Sequence, residues 1–329
     1  MKQLQHPQII IPTLEIIPVD EKGVKKYLGR LELNKTKVIF FGSDLFVIPI
    51  LQALEDNFEV SAIVTASDSA IACYFKGPIF TSGKLDENFK SQISNFKSDL
   101  FIVASYGKII PKFILNIPKF GALNVHPSLL PKYRGPSPVP ATILSGDKVT
   151  GVTIIKMDKE MDHGPIVATK EISLTGQENS LFLINKLFQL GADLLVKIIP
   201  DYITGKMKLV PQNHAQATYS KRLTRESGYF PIDNPPSPEV LDRMIRAYFP
   251  WPGVWTKWSP SRHPEGAQRP KDLKIIKFLP SPRHPELVSG SIKIDSDFRQ
   301  NDNFLIQMEG KKPISYRDFI NGYPDFPLK

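Results

Sequence analysis

Two hydrophobic patterns alternate along residues 37–205. Short, nearly uninterrupted apolar runs occur at "KVIFFGS" (37–43), "EVSAIVTAS" (59–67), "SDLFIVASYG" (98–107) and "GALNVHPS" (121–128). Runs of this length, bounded by Gly, Ser or Asp, predict buried parallel strands. Between the first two, "DLFVIPILQALED" (44–56) places Leu45, Ile48, Leu51 and Leu54 at helical spacing in spite of Pro49. "SLFLINKLFQLGADLLVKIIPDYITG" (180–205) predicts a long amphipathic helix ending at glycine, and "GVTIIKMD" (151–158) with "PIVATKEISL" (165–174) predicts a β-ribbon. The fold class expected is α/β: a Rossmann-like parallel sheet covered by helices, with its site beyond the carboxyl ends of the strands. Gly42-Ser43-Asp44 reads as a turn into a helix, but without a full Gly-x-Gly-x-x-Gly it supports no dinucleotide site.

After about residue 206 the pattern shortens. "KRLTRESGYFPIDNPPSP" (221–238) is Pro-rich and basic, and "EVLDRMIRAYFPWPG" (239–253) is helical. "VWTKW", "LKIIKFL", "SIKID", "NFLIQM" and "KPISYRDFI" are short β-prone pieces, as in a small barrel or sandwich. The organisation this implies is an extension at 1–36, an α/β domain at 37–205, a linker at 206–225 and a β-barrel-like (OB-like) domain at 226–329. "SPSRHPE" (259–265) is echoed by "SPRHPE" (281–286), so 259–290 reads as an exposed, self-similar insertion. His263 and His284 belong to that repeat rather than to a metal or catalytic group.

Composition narrows the classes. One cysteine, Cys73, excludes a disulfide framework and a multi-thiolate metal site. No apolar run approaches the ~18 residues of a membrane helix. The opening "MKQLQHPQIIIPTLEIIP" is broken by Pro12, Glu15 and Pro18 and makes a poor secretory signal, so a cytoplasmic protein is expected. The net charge of +9 is uneven: residues 206–329 carry 20 Lys and Arg against 13 Asp and Glu, whereas residues 1–205 carry 22 against 20. A basic C-terminal third suits a polyanion such as nucleic acid, and a merely solvated basic surface explains the same charge.

The candidate chemistry sits at the end of the fourth run. In "LNVHPS", Asn124 and His126 are two apart, so a strand points both side chains to one face. An Asn amide can donate to a developing oxyanion, and a His can donate to it or move a proton. "MDKEMDHGPIVA" supplies Asp158 and Asp162 just past another strand, with Asp162 in a loop before His163 and Gly164. A polar strand end followed by an ordinary turn carboxylate is the plain alternative for either piece alone. Together, at one sheet edge, they favour a catalytic trio.

Residues 124–168, "NVHPSLLPKYRGPSPVPATILSGDKVTGVTIIKMDKEMDHGPIVA", resemble the signature of the folate-dependent formyltransferases. The matching parts are Asn124-x-His126, Ser128–Pro131, Arg134–Gly135, Gly151–Thr153, Met157–Asp158, Asp162 and Gly164. The resemblance extends from about 37 to the C-terminus. "TYSKRLTRESG" (218–228), "RMIRAYFPWPGVWTKW" (243–258) and "KPISYRDFINGY" (312–323) are similar to the branch of that family acting on methionyl-tRNA. It implies transfer of a formyl group from 10-formyltetrahydrofolate to the α-amine of initiator methionyl-tRNA by a monomeric, metal-free translation enzyme. It also implies that Asn124 and His126 stabilise the oxyanion and that Asp162 holds His126 in its charge state. Ser128, Leu129, Leu130 and Pro131 would line the folate pocket, and Arg134 would meet substrate charge. Lys221, Arg222, Arg225, Arg243 and Arg246 are the candidates for contact with the tRNA backbone.

Three departures stand out. Residues 1–36 have no counterpart in the family, and 259–290 is inserted. "VTASDSAIACYFKGPIF" (64–80) replaces a longer basic loop that contacts the acceptor end, leaves only Lys76 there, and at 68–77 is too short for a usual crossover helix. Two other classes therefore stay open: a formyltransferase for another amine, such as an amino sugar nucleotide, and a non-catalytic nucleic-acid-binding relative.

Overall fold

Seven strands form one sheet: β1 (Lys37–Phe41), β2 (Glu59–Thr65), β3 (Ile79–Thr81), β4 (Leu100–Val103), β5 (Ala122–His126), β6 (Val149–Lys156) and β7 (Ile166–Ser173). Their spatial order is β3-β2-β1-β4-β5-β6-β7. β1 to β5 pair in parallel, and β6 and β7 add an antiparallel ribbon. The computed structural model describes residues 36–81, 83–258, 274–280, 304–308 and 310–323.

The parallel strands are apolar on both faces because both faces are covered. Val38 and Phe40 of β1 join Ile63, Ile102 and Val125 in a cluster closed by the helices Ile48–Asn57 and Ser180–Ile203. Ile39 and Phe41 point the other way, into a cluster with Val64, Phe101, Phe89 and Ile93, the last two from the helix Glu87–Ser94. Each such side chain contributes roughly 1.5–3 kcal/mol on burial. The helix Ser180–Ile203 is started by Asn179, whose side chain accepts from the Phe182 amide at 2.9 Å. Its Gly191 lets it lie directly on β5 and β6, since a Cβ there would stand 2.6 Å from Val125 Cγ1.

The connection from β2 to β3 contains a single helical turn, Ile71–Tyr74, and β3 still pairs in parallel with β2. The stretch 68–77, expected to be too short for a usual crossover helix, holds this one turn.

In the C-terminal part, β8 (Val254–Trp258), β9 (Lys274–Pro280), β10 (Phe304–Met308) and β11 (Ile314–Ser315) form an antiparallel sheet in the order β11-β10-β9-β8. Two details differ from the sequence reading. The helix expected over 239–253 is Pro238–Ala247, and it stops ahead of Pro250 and Pro252, which cannot continue it. "KPISYRDFI" is strand only at Ile314–Ser315 and then a helix, Tyr316–Gly322. Ser315 caps that helix, accepting from the Asp318 amide at 3.0 Å, a Ser-x-x-Asp start signal that outweighs the β-prone composition. The extension at 1–35, "SIKID" and both copies of the repeat lie outside the described residues.

The C-terminal part shares a hydrophobic cluster with the α/β domain. Val139 and Ile143 of the helix Pro138–Ser145, with Leu183 and Leu187, pack among Phe230, Leu241, Ile245, Trp258, Ile306 and Phe319. The segment 206–225 runs along the α/β domain. Its Val210 exchanges two 2.8 Å hydrogen bonds with Ile166, the Arg134 amide donates to Thr218 O at 2.8 Å, and the Ser220 amide donates to Arg134 O at 2.7 Å.

Candidate active site

The alternation of β5 decides which side chains reach the site. Leu123 and Val125 face the long helix, so Asn124 and His126 face the opposite side of the sheet. His126 is 4% exposed. The turn after it, Ser128–Tyr133, folds back to anchor the ring: His126 Nε2 lies 3.0 Å from Tyr133 O. A carbonyl can only accept, so Nε2 carries a proton and Nδ1 is the nitrogen left to face the site. Tyr133 adopts φ +58°, and its amide donates to Thr218 Oγ1 at 2.8 Å.

Asp162 arrives from the loop after β6. Gly164 allows the chain to double back there, because a Cβ would sit 1.8 Å from Lys156 O. Asp162 takes the left-handed φ of +52°, which Asp tolerates better than most residues. Its Oδ1 accepts from Asn124 Nδ2 at 3.2 Å and stands 3.6 Å from His126 Nδ1. Its Oδ2 accepts from the Gly135 amide at 2.7 Å, a donor presented at φ +106° that glycine supplies without strain. Asn124, His126 and Asp162 therefore meet at one point. With His126 protonated, Nδ1–H lies between the carboxylate and the open side of the site. The second Asn124 amide hydrogen remains available beside it.

The other candidates are placed differently. Ser128 and Leu130 are buried and hold the turn: Ser128 Oγ donates to Lys132 O at 2.6 Å, Thr153 Oγ1 donates to Ser128 O at 2.7 Å, and the Leu130 amide donates to Thr153 Oγ1 at 3.1 Å. Leu129 and Pro131 border a cavity of about 720 Å³, together with Tyr133, Asp147, Thr150 and Thr218, and none of Asn124, His126 or Asp162 lines it. Arg134 was expected to meet substrate charge. Arg134 is 2% exposed, donates through Nε and Nη2 to Gln212 Oε1 at 3.2 and 2.6 Å, and places Nη2 2.8 Å from His214 Nδ1.

The basic candidates divide in the same way. Lys221, Arg222 and Arg225 are solvent-facing, and Arg225 lies over the Trp255 ring at 5.3 Å. Arg246 is not a free phosphate ligand: its guanidinium pairs with Asp242 at 2.8 Å, and Nη1 donates to Glu178 O at 3.1 Å. Arg243 is partly buried against Gly146. Outside the sequence reading altogether were the Tyr133 carbonyl, Gln212, and the stacked rings of His163 and His214, 4.0 Å apart with His163 Nδ1 2.7 Å from Asp158 Oδ2. Gln212 lies in the segment expected to be a linker and reaches the site across 50 residues, with no periodicity to mark it.

A family model described as formyl transferase matches residues 37–199. The methionyl-tRNA formyltransferase of Roseiflexus castenholzii is 34% identical over 311 residues, 87% of this chain and 96% of the relative. That of Dictyoglomus turgidum is 36% identical over 314 residues, again 87% of this chain and 96% of the relative. Among solved structures, a sugar N-formyltransferase from a Shewanella species superposes with a TM-score of 0.56 at 18% identity, covering 70% of this chain and 94% of the other, a likeness of fold. The similarity to the two curated relatives runs through the formyl transferase region and on into the C-terminal part, and the chain belongs to the methionyl-tRNA formyltransferase family.

Proposed function

We propose that this chain transfers a formyl group from 10-formyltetrahydrofolate to the α-amine of methionine on initiator tRNA, in the cytoplasm. The observation that carries the chemistry is the meeting of Asn124, His126 and Asp162, with His126 Nδ1 3.6 Å from the carboxylate. 10-Formyltetrahydrofolate would supply the formyl carbon, and the chain's own groups handle the charge and the proton. Attack of an amine on a formyl carbon places negative charge on oxygen. Asn124 and His126 are the groups placed to donate to that oxygen, and Asp162, 3.6 Å from Nδ1, fixes the orientation of the ring. Asp162 also stands ready to take the amine proton, directly or through one water; the intermediate then collapses as the formyl carbon–N10 bond breaks, and N10 takes a proton as tetrahydrofolate leaves. Ser128 and Leu130 act by fixing the turn that anchors His126, and Leu129 and Pro131, with Lys132 and Tyr133, are the residues of that turn bordering the neighbouring cavity.

The tRNA is assigned to 206–329, where the charge excess lies, with Lys221, Arg222 and Arg225 as the exposed candidates. The cluster shared by the two parts favours a C-terminal domain held at a fixed place beside the α/β domain. The helix Pro138–Ser145 contributes to that seam. The test is direct: purified protein with 10-formyltetrahydrofolate is offered methionyl-tRNA or an amino sugar nucleotide. Formyl-methionyl-tRNA is the expected product. Formylation of the sugar amine alone would overturn the assignment.

A further inference from the structure

We propose that Gln212, locked by Arg134, is a positioning residue for Asp162, so that the segment 206–225 completes the active site; the inference rests on the formyl-transfer reading above. Asp162 stands in a left-handed loop whose position depends on its contacts, and its carboxylate must stay where Asn124 and His126 can use it. Two backbone carbonyls flank it, Asp162 O and Gly164 O, and Gln212 Nε2 donates to both at 2.8 Å. Both hydrogens of that amide are thereby engaged on either side of the loop tip.

The orientation of Gln212 is fixed by chemistry. Its Oε1 accepts from Arg134 Nε and Nη2, and a guanidinium can only donate. A flipped amide would point its oxygen at two carbonyls and its NH2 at guanidinium N–H donors. Gln212 is 5% exposed and Arg134 2%, so water does not compete for these groups. Adjacent Gly135 holds the other end of Asp162, donating its amide to Oδ2 at 2.7 Å. The dipeptide Arg134–Gly135 thus grips Asp162 twice: at the carboxylate through a backbone N–H, and at the backbone through Gln212. Gln212 is itself held by the paired hydrogen bonds of Val210 and Ile166, two residues before it.

Gln212→Glu and Gln212→Leu separate positioning from plain packing. Glu keeps the acceptor for Arg134 but has no donor for the two carbonyls, and Leu loses both. Both variants are expected to lower kcat by about 10²-fold, the scale of an ångström-size misplacement. KM for methionyl-tRNA should stay within about twofold, because ground-state binding is untouched. Amide hydrogen exchange at Gly135 should rise at least ~10-fold more than that of Val125 on β5 in both. Both variants leave two buried carbonyls without their donor and should melt below wild type, so kcat is read well below either melting transition, which removes unfolding as the cause. Wild-type kcat in Gln212→Glu, or unchanged Gly135 exchange in both variants, would overturn the proposal. If the wild-type protein formylates no methionyl-tRNA, the functional reading fails, and the Gly135 exchange still decides the positioning role.

Discussion

Arg134 and Arg222 are placed in contrasting surroundings. Arg134 is buried at 2% exposure, with its donors on Gln212 and near His214. Arg222, with Lys221 and Arg225, faces solvent. In the sequence all four are simply basic residues in promising motifs. The structure shows that the α/β side uses charge to hold backbone in place, where the low-dielectric surroundings make an absent partner costly. The 221–225 side holds its charge at the surface, where a polyanion can exchange it for counterions. Arg246 sits with the first class although it lies in the second region, because Asp242 and Glu178 O take its guanidinium.

The sharpest break of this comparison is at Asp162. Asp162→Asn keeps the shape but removes the charge facing His126 Nδ1 and offers an NH2 where the Asn124 and Gly135 donors point. Turnover should fall ~10²–10⁴-fold, the usual range for a missing acid–base group, with folate binding little changed. Steady-state formyl transfer and donor binding by titration measure the two separately. Near-normal turnover would remove Asp162 from the mechanism.

On the exposed side, the triple variant Lys221→Ala, Arg222→Ala, Arg225→Ala should weaken tRNA binding and flatten its salt dependence, by roughly 0.9 in log–log slope for each phosphate no longer neutralised. Its melting temperature should hardly move, since exposed charges add little to stability. Equal affinity and equal slope would make the cluster an ordinary solvated surface. Arg246→Ala is the counterpart. It should lower stability by ~1–2 kcal/mol through removal of the bonds to Asp242 and Glu178 O, and leave the salt slope alone. A changed slope with unchanged stability would move Arg246 back among the tRNA ligands.

Local features are the ones the sequence made legible. The β1, β2, β4 and β5 runs, the ribbon of β6 and β7, and the helix Ser180–Ile203 each announce themselves within a dozen or two residues. Asn124 and His126 were legible because two-residue spacing on a strand is a geometric statement. Asp162 was placed by its loop and by resemblance. The burial of Arg134 was not legible, because burial is a property of the chain that folds over it: Gln212 and His214 come from about 80 residues later. Gln212 itself carries no pattern, and a polar residue in a Pro-containing stretch looks the same whether it spans solvent or seals a site. The partner of Arg246 is by contrast local, since Asp242 stands at helical i,i+4 spacing.

Glu178 gives the smallest and most specific test of the buried class, because it is an acid serving the same end as Arg134. It is 7% exposed and accepts from the Thr175 amide and hydroxyl, both at 2.9 Å, and from the Gly176 amide at 3.0 Å. Burial pushes its carboxyl up, but the hydrogen bonds from Thr175 and Gly176 together outweigh burial and hold it below the ordinary carboxylate value. A folded-state value below the unfolded one means that the folded protein binds the proton less readily. The stabilisation is then fully present above the unfolded value of about 4.3 and is lost as pH falls through the folded value. Glu178→Gln keeps one acceptor but not the charge, so it should cost about 1 kcal/mol at neutral pH, or roughly 1–2 °C in Tm for a protein of this size. The gap between variant and wild type should narrow only as pH falls below the unfolded value of about 4.3 and on through the lower folded value. Paired melting curves from about pH 7 down to about pH 2 check it, a range that runs well below the ordinary carboxylate value. A gap of constant size across that range would mean that Glu178 acts through shape alone, and the charge-assisted grip inferred for the buried class would not extend to this turn.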